Sequence, residues 1–240
     1  MSDVKPVNIF AEETLNFVLQ HVNPNGLRVL EVGCGSGEFA ARFIETGATL
    51  VALDTDQDAI EAAHAKGVNA INTSFLSYDD DPFDIIIFTR SLHHIHELKT
   101  ALAQAKALLK PTGKLILEEF DLANVDHTTT RWYYDILTLL AALIPNSEYA
   151  EYVENPLKRW EADHAHEPPL HTGDTMITHL ETLFKIIALE RNPYLFRSIG
   201  DFVGDKQLVY GLAKKVLQIE KGLIDDKSIL PCGLRIIAEC

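Results

Sequence analysis

From about Asn8 to Phe120, short apolar runs alternate with segments whose apolar residues recur at helical spacing. A first helix is predicted over Ala11–His21, ending near the turn signal Asn25-Gly26. Arg28–Val32 then reads as a buried strand and Glu38–Glu45 as the helix behind it. Leu50–Leu53 is a second strand, Asp58–Lys66 a helix closed by Gly67, and Val68–Thr73 a weaker strand. The run Asp84-Ile85-Ile86-Ile87-Phe88 has no polar alternation, which suits a strand covered on both faces. Leu98–Leu109 is predicted helical and ended by Lys110-Pro111-Thr112-Gly113, with Lys114–Phe120 as the fifth strand. Repeated strand–helix units predict a parallel sheet with helices on both faces.

The rhythm changes after Phe120. Thr128–Ile144 is a long helical pattern with Trp132, Tyr133, Ile136, Leu137, Leu140 and Ile144 on its apolar side. A charged stretch with prolines runs from Asn155 to Pro169, and Gly173–Thr182 reads as a helix. Strand character returns at Phe184–Glu190, a helix follows over Asp205–Lys221, and Leu234–Glu239 is a final strand. Roughly sixty residues thus separate the fifth and sixth strands, too many for a simple connection. The expectation is one domain over 1–240, with 121–183 as a helical insertion that acts as a lid.

Charge narrows the range of partners. The 240 residues carry 21 basic and 35 acidic side chains, a formal charge of −14. That excess repels phosphate backbones, so nucleic acid is not an expected partner. Cys34, Cys232 and Cys240 are too few and too scattered for a disulfide framework or a zinc site. MSDVKPVNIFAEETLNFVLQ lacks the pattern of a signal peptide, and no apolar run approaches the ~20 residues that span a bilayer. A cytoplasmic protein without a membrane partner, monomer or homodimer, is expected.

The candidate chemistry begins at VLEVGCGSGEF, Val29 to Phe39. A glycine-rich turn between a strand and a helix lets a cofactor approach the backbone, beside the positive end of the helix dipole. A dinucleotide fingerprint runs G-x-G-x-x-G, whereas here Gly33, Gly35 and Gly37 alternate and Glu38 takes the third glycine's place. Glu31 before the turn suits an ammonium group better than a diphosphate. An ordinary strand–helix turn is the alternative for the glycines, and a helix cap for Asp54; Asp56 and Asp58 are the better cap candidates.

The order of motifs resembles the class I S-adenosylmethionine-dependent methyltransferases. Val29–Gly37 resembles their first motif, and Val51-Ala52-Leu53-Asp54 the second. Pro82-Phe83-Asp84-Ile85-Ile86, Ser91-Leu92-His93-His94-Ile95 and Leu109–Leu115 resemble the segments that follow, so the likeness is dense from Leu27 to Glu119. It implies a Rossmann-like α/β fold: a seven-stranded sheet, mostly parallel with an antiparallel last strand, and a helical insertion between strands five and six. It also implies S-adenosyl-L-methionine as cofactor and S-adenosyl-L-homocysteine as product. Glu31, Gly33, Gly35, Gly37, Asp54, Thr55 and Thr89 would line the cofactor, with Asp54 on the ribose hydroxyls. One motif departs from the family. Where an acid usually contacts the adenine, this chain has Ser74, with Phe75 beside it to cover the base.

Nothing in such a family fixes the acceptor residues, so these are read from chemistry and position. His94, His93 and Glu119 are the catalytic candidates: a histidine near the methyl group can take the acceptor's proton. Packing and helix capping are the alternative for the histidines, His96 included. Glu118 and Asp121 cluster with Glu119 at the end of strand five, where one acid would brace the loop. Arg90 would bind a substrate acid or the cofactor carboxylate, or form a buried structural salt bridge. Arg131, Trp132, Tyr194 and Arg197 are substrate-binding candidates, with helix packing as the alternative for the aromatic run. Asp163-His164-Ala165-His166-Glu167 and His171 resemble metal ligands, but their prolines and charges fit a surface loop, and no metal is expected. Cys34 is read as a small residue in a tight turn. The implied reaction is methyl transfer to a small molecule; the alternatives are an NAD-dependent oxidoreductase and a non-catalytic S-adenosylmethionine-binding protein.

Overall fold

The computed structural model describes residues 8–142, 151–201 and 206–240. Two predicted helix ends, Ile144 and Asp205, lie outside the described residues, as do the first seven positions of the chain. The chain divides into two compact units.

The larger unit comprises Phe10–Phe120, Leu170–Glu190 and Leu234–Cys240. Its strands are β1 (Arg28–Val32), β2 (Thr49–Asp54), β3 (Ala70–Asn72), β4 (Phe83–Thr89) and β5 (Leu109–Phe120), joined by most of β6 (Lys185–Asn192) and β7 (Gly233–Glu239). They form one seven-stranded sheet in the order β3-β2-β1-β4-β5-β7-β6. Strands β1 to β5 pair in parallel, with Leu30 between Val51 and Ile86, and β7 runs antiparallel beside β5. This is the mostly parallel architecture expected from the strand–helix rhythm.

Alternate side chains of each strand feed two cores. Leu30, Val32, Ile86, Phe88, Leu115 and Leu117 pack with α4 (Leu98–Leu108) and α7 (Gly173–Leu180) on one face. Val29, Leu50, Ala52, Ile85, Ile87 and Ile116 pack with α1 (Ile9–His21), α2 (Glu38–Ile44) and α3 (Gln57–His64) on the other. Burial on both faces explains why β4 has no polar alternation.

Three local readings change. Lys110–Gly113 does not simply end a helix, because β5 already begins at Leu109. Its register jumps from Phe83↔Leu109 to Ile85↔Lys114, so these residues bulge out around Pro111, which has no N–H for the ladder. The charged stretch after Asn155, to which the sequence pattern assigns no element, contains a helix, α6 (Pro156–Asp163), with the Asn155 side chain accepting from the Lys158 N–H at 3.1 Å and Pro156 in the first turn. Finally, α5 (His127–Ala141) buries Tyr134, Leu137, Leu140 and Ala141, while Trp132 and Tyr133 are only half-buried.

The second unit holds the described residues within Asp121–Pro169 and Arg191–Gly233, including α5, α6 and α8 (Lys206–Asp225). Trp160 of α6 is buried, donates to the Leu122 carbonyl at 3.0 Å and meets the Tyr133 ring edge-on at 5.4 Å. Glu220 of α8 is fully buried and accepts the N–H groups of Tyr194, Leu195 and Phe196, at 2.7, 3.0 and 2.9 Å. One carboxylate thereby holds the start of the 3₁₀ segment Leu195–Asp201. Among the described residues no helix is long and apolar enough to cross a membrane.

Candidate cofactor cleft

In the larger unit a cleft of about 590 Å³ opens at the carboxyl ends of β1, β2 and β4. The strand order reverses between β1 and β4, and open α/β sheets bind ligands at that point. Two turns make most of its wall.

The turn after β1 is built from backbone. Gly33 and Cys34 donate to the Leu53 carbonyl at 2.8 and 2.9 Å, tying the turn to β2. Gly33 and Gly37 adopt φ of 74° and 72°. A Cβ at Gly33 would lie 2.3 Å from the Ser91 Cβ, and one at Gly37 2.9 Å from the Ala63 Cβ, so both sites demand glycine. Gly35 has no neighbour within 4 Å of such a Cβ and lines the cleft. Asp54, at the end of β2, accepts the Gly35 N–H at 2.7 Å and the Asp56 N–H at 3.0 Å, one on each oxygen. It is no helix cap: Asp56 caps α3 through the N–H groups of Asp58 and Ala59.

Glu31 lies beneath this turn and is 1% exposed. The Thr89 hydroxyl donates to its Oε1 at 2.7 Å, while Oε2 is buried with no hydrogen-bond partner. Burial pushes its carboxyl up to about 8, opposed by the Thr89 hydrogen bond and the charge of Arg90. The acid expected to be ionised is thus largely protonated at neutral pH. Burial, with Glu31 and Asp54 nearby, pushes the Cys34 thiol up to about 12, so it is no nucleophile.

The turn after β4 is held by side chains. Arg90 has φ of 61°, and its N–H donates to the Glu118 carbonyl at 2.7 Å. Glu119, wholly buried, accepts the N–H groups of Ser91 and Leu92 at 3.2 and 2.8 Å and pairs through its other oxygen with His93 Nδ1. His171 ties down the next residues: its backbone N–H donates to the His93 carbonyl at 3.1 Å, and its Nε2 lies 3.1 and 3.2 Å from the Ile95 and His96 carbonyls. The His94 ring stacks on His93 with centroids 4.2 Å apart and lines the cleft.

Of the residues singled out in the sequence, Gly33, Gly35, Asp54, Thr55, Ser74, Phe75, Thr89, Arg90 and His94 line this cleft. Phe75 is buried edge-on against Phe88, and Ser74 is exposed. Glu31 and Gly37 lie behind the first turn, and His93 and Glu119 behind the second, spent on each other and on backbone. Glu118 pairs with Arg235 of β7 at 3.2 Å instead of facing the cleft. Arg131, Trp132, Tyr194 and Arg197 belong to the second unit. There Arg131 donates to the Val153 and Glu154 carbonyls at 2.6 and 2.9 Å, and Arg197 stacks near Tyr194 and Phe196. In the suspected metal motif, Asp163 accepts from Tyr134 and Arg159, and His164 Nδ1 donates to the Trp160 carbonyl. Among the described residues no group of three such ligands converges. Leu76 and Glu97 line the cleft without having been singled out, and Ser91 and Ile95 had entered only as the ends of a family-like segment.

A family profile described as a methyltransferase domain matches residues 8–160. The chain belongs to that methyltransferase family. A ubiquinone biosynthesis O-methyltransferase from Coxiella burnetii is 26% identical over 170 residues, covering 68% of this chain and 66% of the relative. A demethylmenaquinone methyltransferase from Clavibacter sepedonicus is 24% identical over 180 residues, covering 69% and 73%. Among solved structures, an S-adenosylmethionine-dependent methyltransferase from Mesorhizobium loti shares the fold with a TM-score of 0.57, at 16% identity over 97% of this chain and 99% of that one. The cleft of this methyltransferase also fits its family's cofactor in its own terms. Each Asp54 oxygen keeps a lone pair beyond the backbone N–H it accepts, Gly35 leaves open space, and Glu31 holds a buried oxygen without a partner. A dinucleotide fits poorly, because Glu38 begins α2 where a diphosphate would need the helix N-terminus.

Proposed function

We propose that this methyltransferase transfers a methyl group from S-adenosyl-L-methionine to a small-molecule acceptor and releases S-adenosyl-L-homocysteine. The observation that carries the reading is the convergence, in one cleft, of the glycine turn, Asp54 and the turn bearing His94. The cofactor, when bound, supplies a methyl group made electrophilic by its sulfonium. Asp54 would accept the two ribose hydroxyls, while Ser74 and Phe75 would border the adenine. Thr89 and Glu31 would sit under the methionine part. His94, in its neutral form, would take the proton from the acceptor as the new bond forms; His93 and Glu119 hold the turn that carries it. Most of the rate would come from holding the acceptor in line and excluding water.

Both relatives named above carry quinones in their names, so phenolic and quinone-type aromatics are the first acceptors to screen. The reading includes 121–183 as the insertion that covers the acceptor, with Arg131 and Trp132 in it and Tyr194 and Arg197 after β6 as contacts. It also includes a cytoplasmic monomer or homodimer. Calorimetric titration with S-adenosylhomocysteine tests the core of it. Micromolar binding, weakened roughly 10–100-fold by Asp54→Ala in a folded variant, is expected. Binding of NAD in its place would overturn the reading, and methylation of tRNA but not of small acceptors would overturn the acceptor class.

A further inference from the structure

Arg90 differs from six other arginines of the chain. Arg28, Arg42, Arg159, Arg191 and Arg235 each pair with a carboxylate, and Arg131 is held by two carbonyls and Asp135. The guanidinium of Arg90 makes no hydrogen bond or ion pair among the described residues, although it is half-buried in the wall of the cleft.

Its backbone is costly to hold. A φ of 61° is unfavourable for a residue with a Cβ. The surroundings fix it from both sides, through the Arg90 N–H on the Glu118 carbonyl and the Ser91 N–H on Glu119. The acids in and beneath the cleft form no ion pair with it. Glu31 holds its proton up to about 8, Asp54 is engaged by two backbone N–H groups, and Glu97 is an exposed residue at the cleft with no cap hydrogen bond to α4. A fixed, unpaired guanidinium in a ligand cleft presents a planar fork of donors, the complement of a carboxylate.

We propose that Arg90 is the carboxylate clamp of this cleft, taking a ligand's carboxylate through two parallel N–H donors. The proposal rests on the methyltransferase reading, in which a carboxylate has two sources: the methionine end of the cofactor, or the acceptor. An acceptor held this way would be an acid, such as a hydroxylated benzoate, and not a neutral phenol.

The test uses the full chain, Arg90→Gly and Arg90→Lys. Glycine accepts the positive φ, so Arg90→Gly removes the guanidinium without straining the turn. Lysine keeps the charge and loses the fork. Each protein is titrated with S-adenosylhomocysteine and with 5′-methylthioadenosine, which lacks the carboxylate. With S-adenosylhomocysteine bound, each is then titrated with 3,4-dihydroxybenzoate and with catechol. A loss of roughly 10–100-fold confined to the carboxylate member of one pair is expected, with Arg90→Lys between wild type and Arg90→Gly. A loss against S-adenosylhomocysteine but not methylthioadenosine assigns the clamp to the cofactor; a loss against the benzoate but not catechol assigns it to the acceptor. Unchanged S-adenosylhomocysteine affinity, together with no Arg90-dependent benzoate binding, overturns the proposal and leaves the methyltransferase reading intact. A wild-type chain that binds no S-adenosylhomocysteine overturns both.

Discussion

The two turns that wall the cleft are built by opposite means. The one after β1 relies on what is missing: glycines whose absent side chains let Ser91 and Ala63 approach. The one after β4 relies on what is present, a buried carboxylate that collects two N–H groups and a histidine and holds Arg90 in a left-handed conformation. A turn made of backbone can serve any chain with the same cofactor. A turn made of side chains stands or falls with each of them, and in the proposed reading it carries His94, the candidate base.

Substitutions in the two turns should therefore fail differently. Glu119→Ala strips His93 and two buried N–H groups of their partner at once. A loss of roughly 3–5 kcal/mol in denaturant unfolding is expected, because breaking a buried pair strands its other member. A loss below 1 kcal/mol would mean that the second turn does not depend on this acid. Gly33→Ala places a methyl 2.3 Å from the Ser91 Cβ and couples the turns by force. It should cost roughly 3 kcal/mol and abolish binding of S-adenosylhomocysteine, since both walls must move.

Glu31 gives a pH signature. Folded, it keeps its proton to about 8; unfolded, it loses it near 4.5. The folded state thus binds more protons between these values, and stability falls as pH rises through that window. Glu31→Gln should flatten this slope, gaining roughly 3 kcal/mol at pH 8 relative to pH 5 in parallel melts of mutant and wild type. An unchanged slope would show that Glu31 ionises normally. Gly35→Ala is the mildest change. With φ of 51° and open space around the site, it should cost about 1 kcal/mol of stability, yet weaken S-adenosylhomocysteine roughly tenfold by occupying the cleft.

The same contrast explains what the sequence made legible. β1, β2 and β4 showed as apolar runs because both faces of the sheet are buried, and the glycine turn showed because its spacing is its function. Asn155 and Pro156 do carry a helix-start signal, but the charges of Lys158 to Asp163 left too few apolar positions to show a period. The three-residue 3₁₀ turns at Phe75–Ser77 and Leu92–His94 are too short to have a period. Glu119 was visible as an acid near the site; that it braces the turn depends on His93, 26 positions earlier, and on two backbone N–H groups. Arg235 meets Glu118 across 117 positions, a contact no local pattern predicts.

The reversal of strand order also bears on how the molecule is made. β1 takes β2 as a neighbour after a short helix, but its other neighbour, β4, begins only at Phe83. A ribosome that has delivered β1 to β3 has supplied the glycines and Asp54, yet not the wall that completes the cleft. Cofactor affinity would therefore wait for β4 and the turn after it, and non-local pairings of this kind form more slowly than local ones. Binding of S-adenosylhomocysteine to stalled nascent chains of increasing length would date the moment when β4 docks.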